Sequence, residues 1–415
     1  MAIIKSFKGY RPKKEFVKQV ASRPYDVLNS AEAKEEVKDN PHSFLHVVKP
    51  EVDLPDGIDI HADEVYKKAK DSLNQLINDQ MFVQDEGEAL YIYAQTMFGR
   101  TQYGIVACAA VEDYMNDVIK KHELTRPDKE EDRMNHIRVT GFNAEPVFFA
   151  YPDHKDLDAI VAGIIKDTPE YDFETEDGVG HHFWTIKDVD TIRTIEDIFA
   201  KDIKNTYVAD GHHRTAAAAL VGKEREANNP KHTGSEEYNY FLAVHFPAGQ
   251  LTIIDYNRVV KDLNALSEVE FMDKLKQNFT IVEKGGEIYK PDTMHNFSMY
   301  ISGKWYSLTA NSDTYDDTDP IRSLDVTVLS DAILAPVLGI EDLRKSTRID
   351  FVGGIRGLGE LKRRVDSGEM KVAFALYPVS MKQLMDIADT NNIMPPKTTW
   401  FEPKLRSGLV IHSLD

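Results

Sequence analysis

Cysteine is almost missing from this chain, with Cys108 the only one in 415 residues. A single thiol excludes an intrachain disulfide and any cysteine-based zinc cluster. Its place in the apolar run Gly104-Ile105-Val106-Ala107-Cys108-Ala109-Ala110 marks it as a small buried hydrophobe. No stretch approaches the roughly 18 apolar residues that a membrane-spanning helix needs, and Met1-Ala2-Ile3-Ile4-Lys5 lacks a long apolar signal core. The expectation is a cytoplasmic protein without a membrane partner. Basic charge is short as well: 50 Lys and Arg stand against 69 Asp and Glu, a formal charge of -19. Broad attraction to nucleic-acid phosphates is therefore not expected, although a local basic pocket stays open. Internal repeats and low-complexity segments are absent, which disfavours solenoids and propellers.

What is present is an ordinary soluble composition, 42% hydrophobic and 29% charged, in a chain long enough for two or three domains. Residues 9–55 carry Pro12, Pro24, Pro41, Pro50 and Pro55 around short helical stretches and read as a segment docked on the rest. Helical periodicity runs through Val65, Ala69, Leu73, Leu76 and Ile77. Residues 89–93, 103–111, 147–151 and 206–209 read as strands, and 192–201 as an amphipathic helix. Residues 240–246 and 251–255 resemble two strands joined through Pro247-Ala248-Gly249-Gln250. Residues 324–338 and 381–391 read as helices, and 371–377 as a buried strand. The alternation predicts a mixed α and β protein. The division expected is 1–235 for a core with its N-terminal segment, and 236–415 for a C-terminal α/β region whose tail completes the site.

The most informative junction is Thr206-Tyr207-Val208-Ala209 running into Asp210-Gly211-His212-His213-Arg214-Thr215 and then an alanine-rich helix. At a helix start the first amides lack intrahelical partners, the dipole is positive and glycine lets a ligand approach the backbone, so the place suits a phosphate. Arg214 is suited to a bidentate contact and His212 or His213 to a hydrogen bond. Asp210 is suited to capping the helix, holding magnesium or acting as a base. The plainer alternative is a capping aspartate with structural histidines.

Residues 120–133 hold 10 charged side chains in 14 residues. They read either as a solvated helix or as a pocket in which Lys121, Arg126 and Lys129 neutralise phosphate charge, with His122 and Glu123 as acid, base or metal-binding groups. The tail from Lys397 to Gly408 interleaves Lys397, Lys404 and Arg406 with Trp400 and Phe401. It fits phosphate binding with an aromatic stacked on a base, or core packing of Trp400. Two weaker signals, Gly353-Gly354-Ile355-Arg356-Gly357-Leu358-Gly359 and His181-His182, read as a backbone turn and as structural histidines.

The element Val208-Ala209-Asp210-Gly211-His212-His213-Arg214 resembles the Gly-x-His-Arg phosphate-binding turn of the ParB and sulfiredoxin superfamily, which includes free serine kinases. Sulfiredoxin places its catalytic cysteine where this chain has His212, which disfavours sulfinic-acid reduction. A second resemblance covers nearly the whole chain. Phe7-Lys8-Gly9-Tyr10-Arg11-Pro12, Pro24-Tyr25-Asp26-Val27, Asn40-Pro41-His42-Ser43-Phe44-Leu45-His46, Lys120-Lys121-His122-Glu123-Leu124-Thr125-Arg126, Asp-Gly-His-His-Arg and the segment from Met394 to Leu409 look like signatures of one widespread prokaryotic family. That family is known chiefly as a conserved domain of unknown function.

Together the resemblances imply an α+β fold with a ParB/sulfiredoxin-like nucleotide-binding core. They imply a phosphotransferase acting on a small hydroxyl metabolite such as free serine. Mg2+ on Asp210 and ATP or ADP would be the cofactors, and Asp26, Glu123 or Asp210 the catalytic carboxylates. Gly211, His212, His213, Arg214, Thr215, Lys121, His122, Arg126, Lys397, Trp400, Lys404 and Arg406 would bind phosphate or nucleotide. The alternatives are a nucleotide-binding switch without turnover and a metal-dependent hydrolase using His212, His213, His122 and Glu123.

Overall fold

The apolar runs become the central strands of two sheets, and the amphipathic stretches become the helices that cover them. The computed structural model describes all 415 residues, and it is a mixed α/β protein. Its chain divides into one compact unit of Met1–Leu251 with Pro403–Asp415 and a second of Thr252–Glu402.

The first unit is built on a nine-stranded sheet. Its order begins Ile119–Lys120, Thr206–Asp210, Val147–Tyr151, Tyr240–Pro247 and Arg100–Ala110. It continues through Leu90–Met97 and Gly180–Ile186 to Tyr171–Glu174, while Ile4–Lys5 pairs with Arg100–Ala110. Two pairings are parallel, Thr206–Asp210 with Ile119–Lys120 and Tyr240–Pro247 with Val147–Tyr151; the others are antiparallel. Strand Tyr240–Pro247 lies inside this sheet, between Val147–Tyr151 and Arg100–Ala110. The sequence division after residue 235 therefore falls inside the first unit. No hairpin partner follows at 251–255. The next strand is Tyr256–Val260, and it pairs in the other unit's sheet.

Helix His212–Asn228 forms because Ala216-Ala217-Ala218-Ala219-Leu220 is a run of strong helix formers whose small side chains allow close approach to the sheet. Ala217, Ala219 and Val221 join Phe149, Val208, Phe241 and Ala243 in one core cluster. Each fully buried large side chain there contributes ~1.5–3 kcal/mol over its exposed state. A second cluster, with Val20, Phe44, Leu45, Val47, Phe82 and Ile411, seats the proline-rich N-terminal segment against helix Asp63–Asn78 and the C-terminus. Cys108 is fully buried in its strand.

The second unit carries a six-stranded antiparallel sheet. Its order is Phe279–Gly285, Lys304–Ala310, Asn296–Ile301, Val372–Ala375, Tyr256–Val260, Ile349–Gly353. Helix Gly357–Asp366 covers one face through Leu358 and Leu361, against Val259, Tyr300 and Trp305. The helix expected over 324–338 is an α-helix at Asp325–Leu329 that widens into a π-turn at Ser330–Leu334. Met381–Asp389 is helical and Val372–Ala375 is a strand. No helix is long and apolar enough to cross a membrane.

Candidate functional site

Strand Thr206–Asp210 ends at Gly211, whose φ of 90° and ψ of 36° place it in the left-handed region. That turn aims the start of helix His212–Asn228 outward. Thr215 is the first residue whose amide finds a helical acceptor, the Gly211 carbonyl at 2.9 Å. The amides of His212, His213 and Arg214 therefore form an uncapped helix start. A Cβ at Gly211 would meet the Arg214 guanidinium at 3.1–3.2 Å. Gly211→Ala is expected to cost ~1–2 kcal/mol in backbone strain and to displace Arg214. Denaturant unfolding checks the first effect, and comparison with an Ala217→Gly control in the same helix checks whether any helix change would do the same.

Arg214 is buried and turns back across the helix start. Its Nη1 donates to the Pro146 carbonyl at 2.8 Å. Its Nη2 lies 3.2 Å from Asp210 Oδ2 and 3.6 Å from Asp26 Oδ2. Burial works against its charge, but Asp26, Glu145 and Asp210 outweigh that and keep it firmly protonated. The second Asp210 oxygen is 3.4 Å from Lys404 Nζ. Burial pushes the Asp210 carboxyl up, and Lys404 with Arg214 pulls it back below the ordinary range, so it is ionised.

Beneath this layer sits Glu145, just before strand Val147–Tyr151. One of its oxygens accepts from the Tyr25 amide and the Ser407 hydroxyl, each at 3.1 Å, and the other is 3.8 Å from Arg133 Nη1. Arg133 in turn lies 4.0 Å over the Tyr25 ring. Burial raises the Glu145 carboxyl, against the pull of Arg214 and Arg133. The cavity between Arg133, Glu145 and Arg214 measures about 30 Å³, room for little beyond a water, so a ligand belongs on the outer side of Arg214.

The histidines differ in role. His212 is buried with its Nδ1 3.6 Å from Glu123 Oε2, and its ring meets His122 edge-on at 4.5 Å. Its Nε2 has no partner in the protein. Burial pulls His212 down to about 4, and burial together with His212 pulls His122 down to about 3, so both rings are neutral at pH 7. His213 Nε2 accepts from the Arg126 amide at 3.1 Å, and burial lowers it too.

The structure thus brings together Asp26, His122, Glu123, Asp210, Gly211, His212, His213, Arg214 and Lys404. Other expected residues turn elsewhere. The Thr215 hydroxyl donates to the Gly211 carbonyl at 3.0 Å as a buried strut. Lys121 lies over the Tyr114 ring at 4.4 Å. The exposed Arg126 guanidinium pairs with Asp128 at 2.7 Å. Arg406 pairs with Asp177 and Thr175 rather than with Arg214. Lys397 and Trp400 belong to the second unit, where Trp400 packs on Gly353 and meets Tyr256 edge-on at 5.0 Å.

The charged run is a loop followed by helix Pro127–Thr140, not one solvated helix, because Pro127 starts a helix and cannot continue one. Asp210 does not fit the magnesium ion expected on it, since each of its oxygens already faces a cation. No group of three or more His, Cys, Asp or Glu side chains is arranged to hold a metal. The groups of the hydrolase reading form no cluster able to hold a metal, and His213 Nε2 is taken up by the Arg126 amide. Glu145 and Ser407 were missed by sequence reading; a lone acid before an apolar strand, as in Ala144-Glu145-Pro146-Val147-Phe148-Phe149, was the available signal for Glu145.

Fold and site together define a mixed α/β protein with a cationic turn at a helix start. The chain belongs to the DUF1015 family, described as a protein of unknown function, whose family model matches residues 4–327. A search of curated proteins gives no match. Among solved structures, the chain is similar to a free serine kinase in complex with AMP, at 12% identity over 74% of this chain and 91% of that one, with a TM-score of 0.34. A C-terminally truncated SbnI from Staphylococcus aureus gives 12%, 74%, 87% and 0.36. A conserved hypothetical protein from Pyrococcus furiosus gives 13%, 74%, 95% and 0.32.

Proposed function

We propose that the turn Asp210 to Arg214 binds the phosphates of a nucleotide, and that the protein transfers phosphate to a small hydroxyl metabolite, with free serine the first acceptor to test. The observation that carries this reading is a convergence. Three unpaired amides, the buried Arg214 guanidinium and the unpartnered Nε2 of His212 surround one helix start, and the Asp26 and Glu123 carboxylates stand at its rim.

In this reaction the acceptor hydroxyl gives its proton to Asp26 or Glu123. Its oxygen then bonds to phosphorus, and the bond from phosphorus to the donor oxygen breaks. The charge on the three phosphoryl oxygens is met by the amides and Arg214. His212, neutral at pH 7, contributes an N–H hydrogen bond and no charge. Asp210 holds Arg214 and Lys404 in place.

The test is a thermal-shift panel of ATP, ADP, CTP, GTP, pyrophosphate and phosphate, with and without Mg2+, followed by acceptor assays with serine. Asp26→Asn and Glu123→Gln are each compared with wild type. The base should lose ~10²–10⁴-fold in turnover while its variant keeps the donor's thermal shift. Binding without product from any hydroxyl acceptor would favour the switch, and no shift with any donor would remove the nucleotide reading.

A further inference from the structure

Six arginines are buried: Arg11, Arg133, Arg214, Arg258, Arg364 and Arg406. Five face carboxylates. Arg11 pairs with Asp85 and Glu170, Arg133 with Asp132, and Arg214 with Asp210. Arg364 pairs with Glu369 and Asp350, and Arg406 with Asp177. Arg258 is the most deeply buried of the six, at 1% exposure, and no carboxylate comes within ion-pairing distance of it. An unanswered buried charge costs several kcal/mol, and folded proteins rarely keep one without a use.

Arg258 lies on strand Tyr256–Val260 in the second unit, paired across the sheet with Phe351 and Phe374. Its guanidinium is 5.3 Å from the Phe351 ring. It donates to the Tyr256 carbonyl, and Nη2 donates to the Lys397 carbonyl at 2.9 Å. Those two carbonyls answer two of its five N–H groups and none of its charge. Burial pulls it down to about 10.

Its neighbourhood holds a second cation. Lys397 is exposed, its backbone is left-handed at φ 60°, and its ammonium lies 5.7 Å from the Tyr256 ring. A lysine in that conformation is strained, and such outliers cluster at ligand clamps. The Lys397 carbonyl accepts from Arg258, and the two cations lie on either side of this corner, with the Lys397 ammonium over the Tyr256 ring and the Arg258 guanidinium on the Tyr256 carbonyl. Trp400 closes the same corner by packing on Gly353, where a Cβ would stand 3.0 Å from the indole.

We propose that Arg258 and Lys397 form a binding site for a small oxyanion, a carboxylate or a phosphate, within the second unit. The site is independent of the Asp210 to Arg214 turn. The anion takes the guanidinium N–H groups not spent on carbonyls, in the geometry that arginine offers to planar or tetrahedral oxyanions, and the Lys397 ammonium at the surface supplies the second charge.

Calorimetric titration of the full chain with inorganic phosphate and, separately, with succinate tests this, using wild type, Arg214→Ala, Arg258→Met and Lys397→Met. One of the two anions is expected to bind wild type and Arg214→Ala alike. Affinity should fall at least about tenfold in Arg258→Met and several-fold in Lys397→Met. Without ligand, Arg258→Met should melt no lower than wild type, since a methionine suits this apolar face better than an unpaired charge. Equal affinity in Lys397→Met, whose exposed position keeps folding out of the question, overturns the proposal. So does a result in which all anion binding vanishes in Arg214→Ala and survives in Arg258→Met, or the absence of any binding by wild type.

Discussion

Lowering the pH from 7 to 5 is expected to unfold the Met1–Leu251 unit well before the Thr252–Glu402 unit. Six histidines of the first unit are buried and neutral. Burial pulls His122 and His181 down to about 3, His136, His212 and His245 to about 4, and lowers His412 as well. In the unfolded chain each titrates near 6.5. Between those values the unfolded state binds protons that the folded state refuses. Stability is therefore full above pH ~6.5 and falls as pH drops, by ~1.4 kcal/mol per histidine per pH unit.

Three carboxyls oppose this. Burial raises Asp113 to about 6 and raises Glu145 and Asp158, so the folded unit takes up protons there before the unfolded chain does and gains stability as pH falls. Six groups against three leave a net loss at pH 5 comparable with a whole domain's ~5–15 kcal/mol. The second unit runs the other way. His295 is raised by its hydrogen bonds to Asp325 and Asp317, so its contribution is present below pH ~6.5 and is lost as pH rises through its folded value. Hydrogen exchange at pH 7, 6, 5 and 4 reads the two units separately. Simultaneous loss of protection in both, or protection of residues 1–251 persisting to pH 4, would sink the prediction.

Much of this could be read from residues. The strands at 89–93, 103–111, 147–151 and 206–209 are apolar runs with β-branched and aromatic residues, and all four lie inside the first sheet with a strand on each side, where burial on both faces enforces the pattern. The junction at 206–215 was legible because glycine after a strand and alanines after the histidines leave few alternatives to a strand, turn and helix. The partner of each residue was not legible. Whether Lys404 or Arg406 reaches Asp210 depends on pairings such as Ser22 with Ser407 and Gln95 with the Lys404 carbonyl, which span hundreds of residues. The assignment of 251–255 to a hairpin failed for the same reason. Its pattern fits a strand, but Leu251 ends one unit and the next strand pairs in another sheet. Glu145 escaped because a single buried acid has no periodicity, and its importance comes from Arg133 and Arg214, which are distant in sequence.

Arg214→Ala should remove both nucleotide binding at the helix start and a large part of the first unit's stability, and the two losses can be separated. The guanidinium is the common neighbour of Asp210, Asp26 and Glu145. Without it, Glu145 keeps only Arg133 nearby and Asp210 only Lys404. Removing one partner from a buried charged set costs ~3–5 kcal/mol, because the others stay desolvated and unanswered, which is a fall in Tm of ~10 °C for a unit of this size. Arg214→Lys retains the charge but loses the fork that spans the Pro146 carbonyl and two carboxylates, so it should recover about half of that stability.

Glu145→Gln placed on Arg214→Ala takes away the charge left stranded and should restore ~1–3 kcal/mol, a coupling that a double-mutant cycle measures directly. It returns nothing to the helix start, so nucleotide shifts should stay absent. If binding returns with stability, Arg214 serves only to hold the fold and the amides with His212 carry the anion. If binding stays lost while melting recovers, the guanidinium itself touches the phosphate.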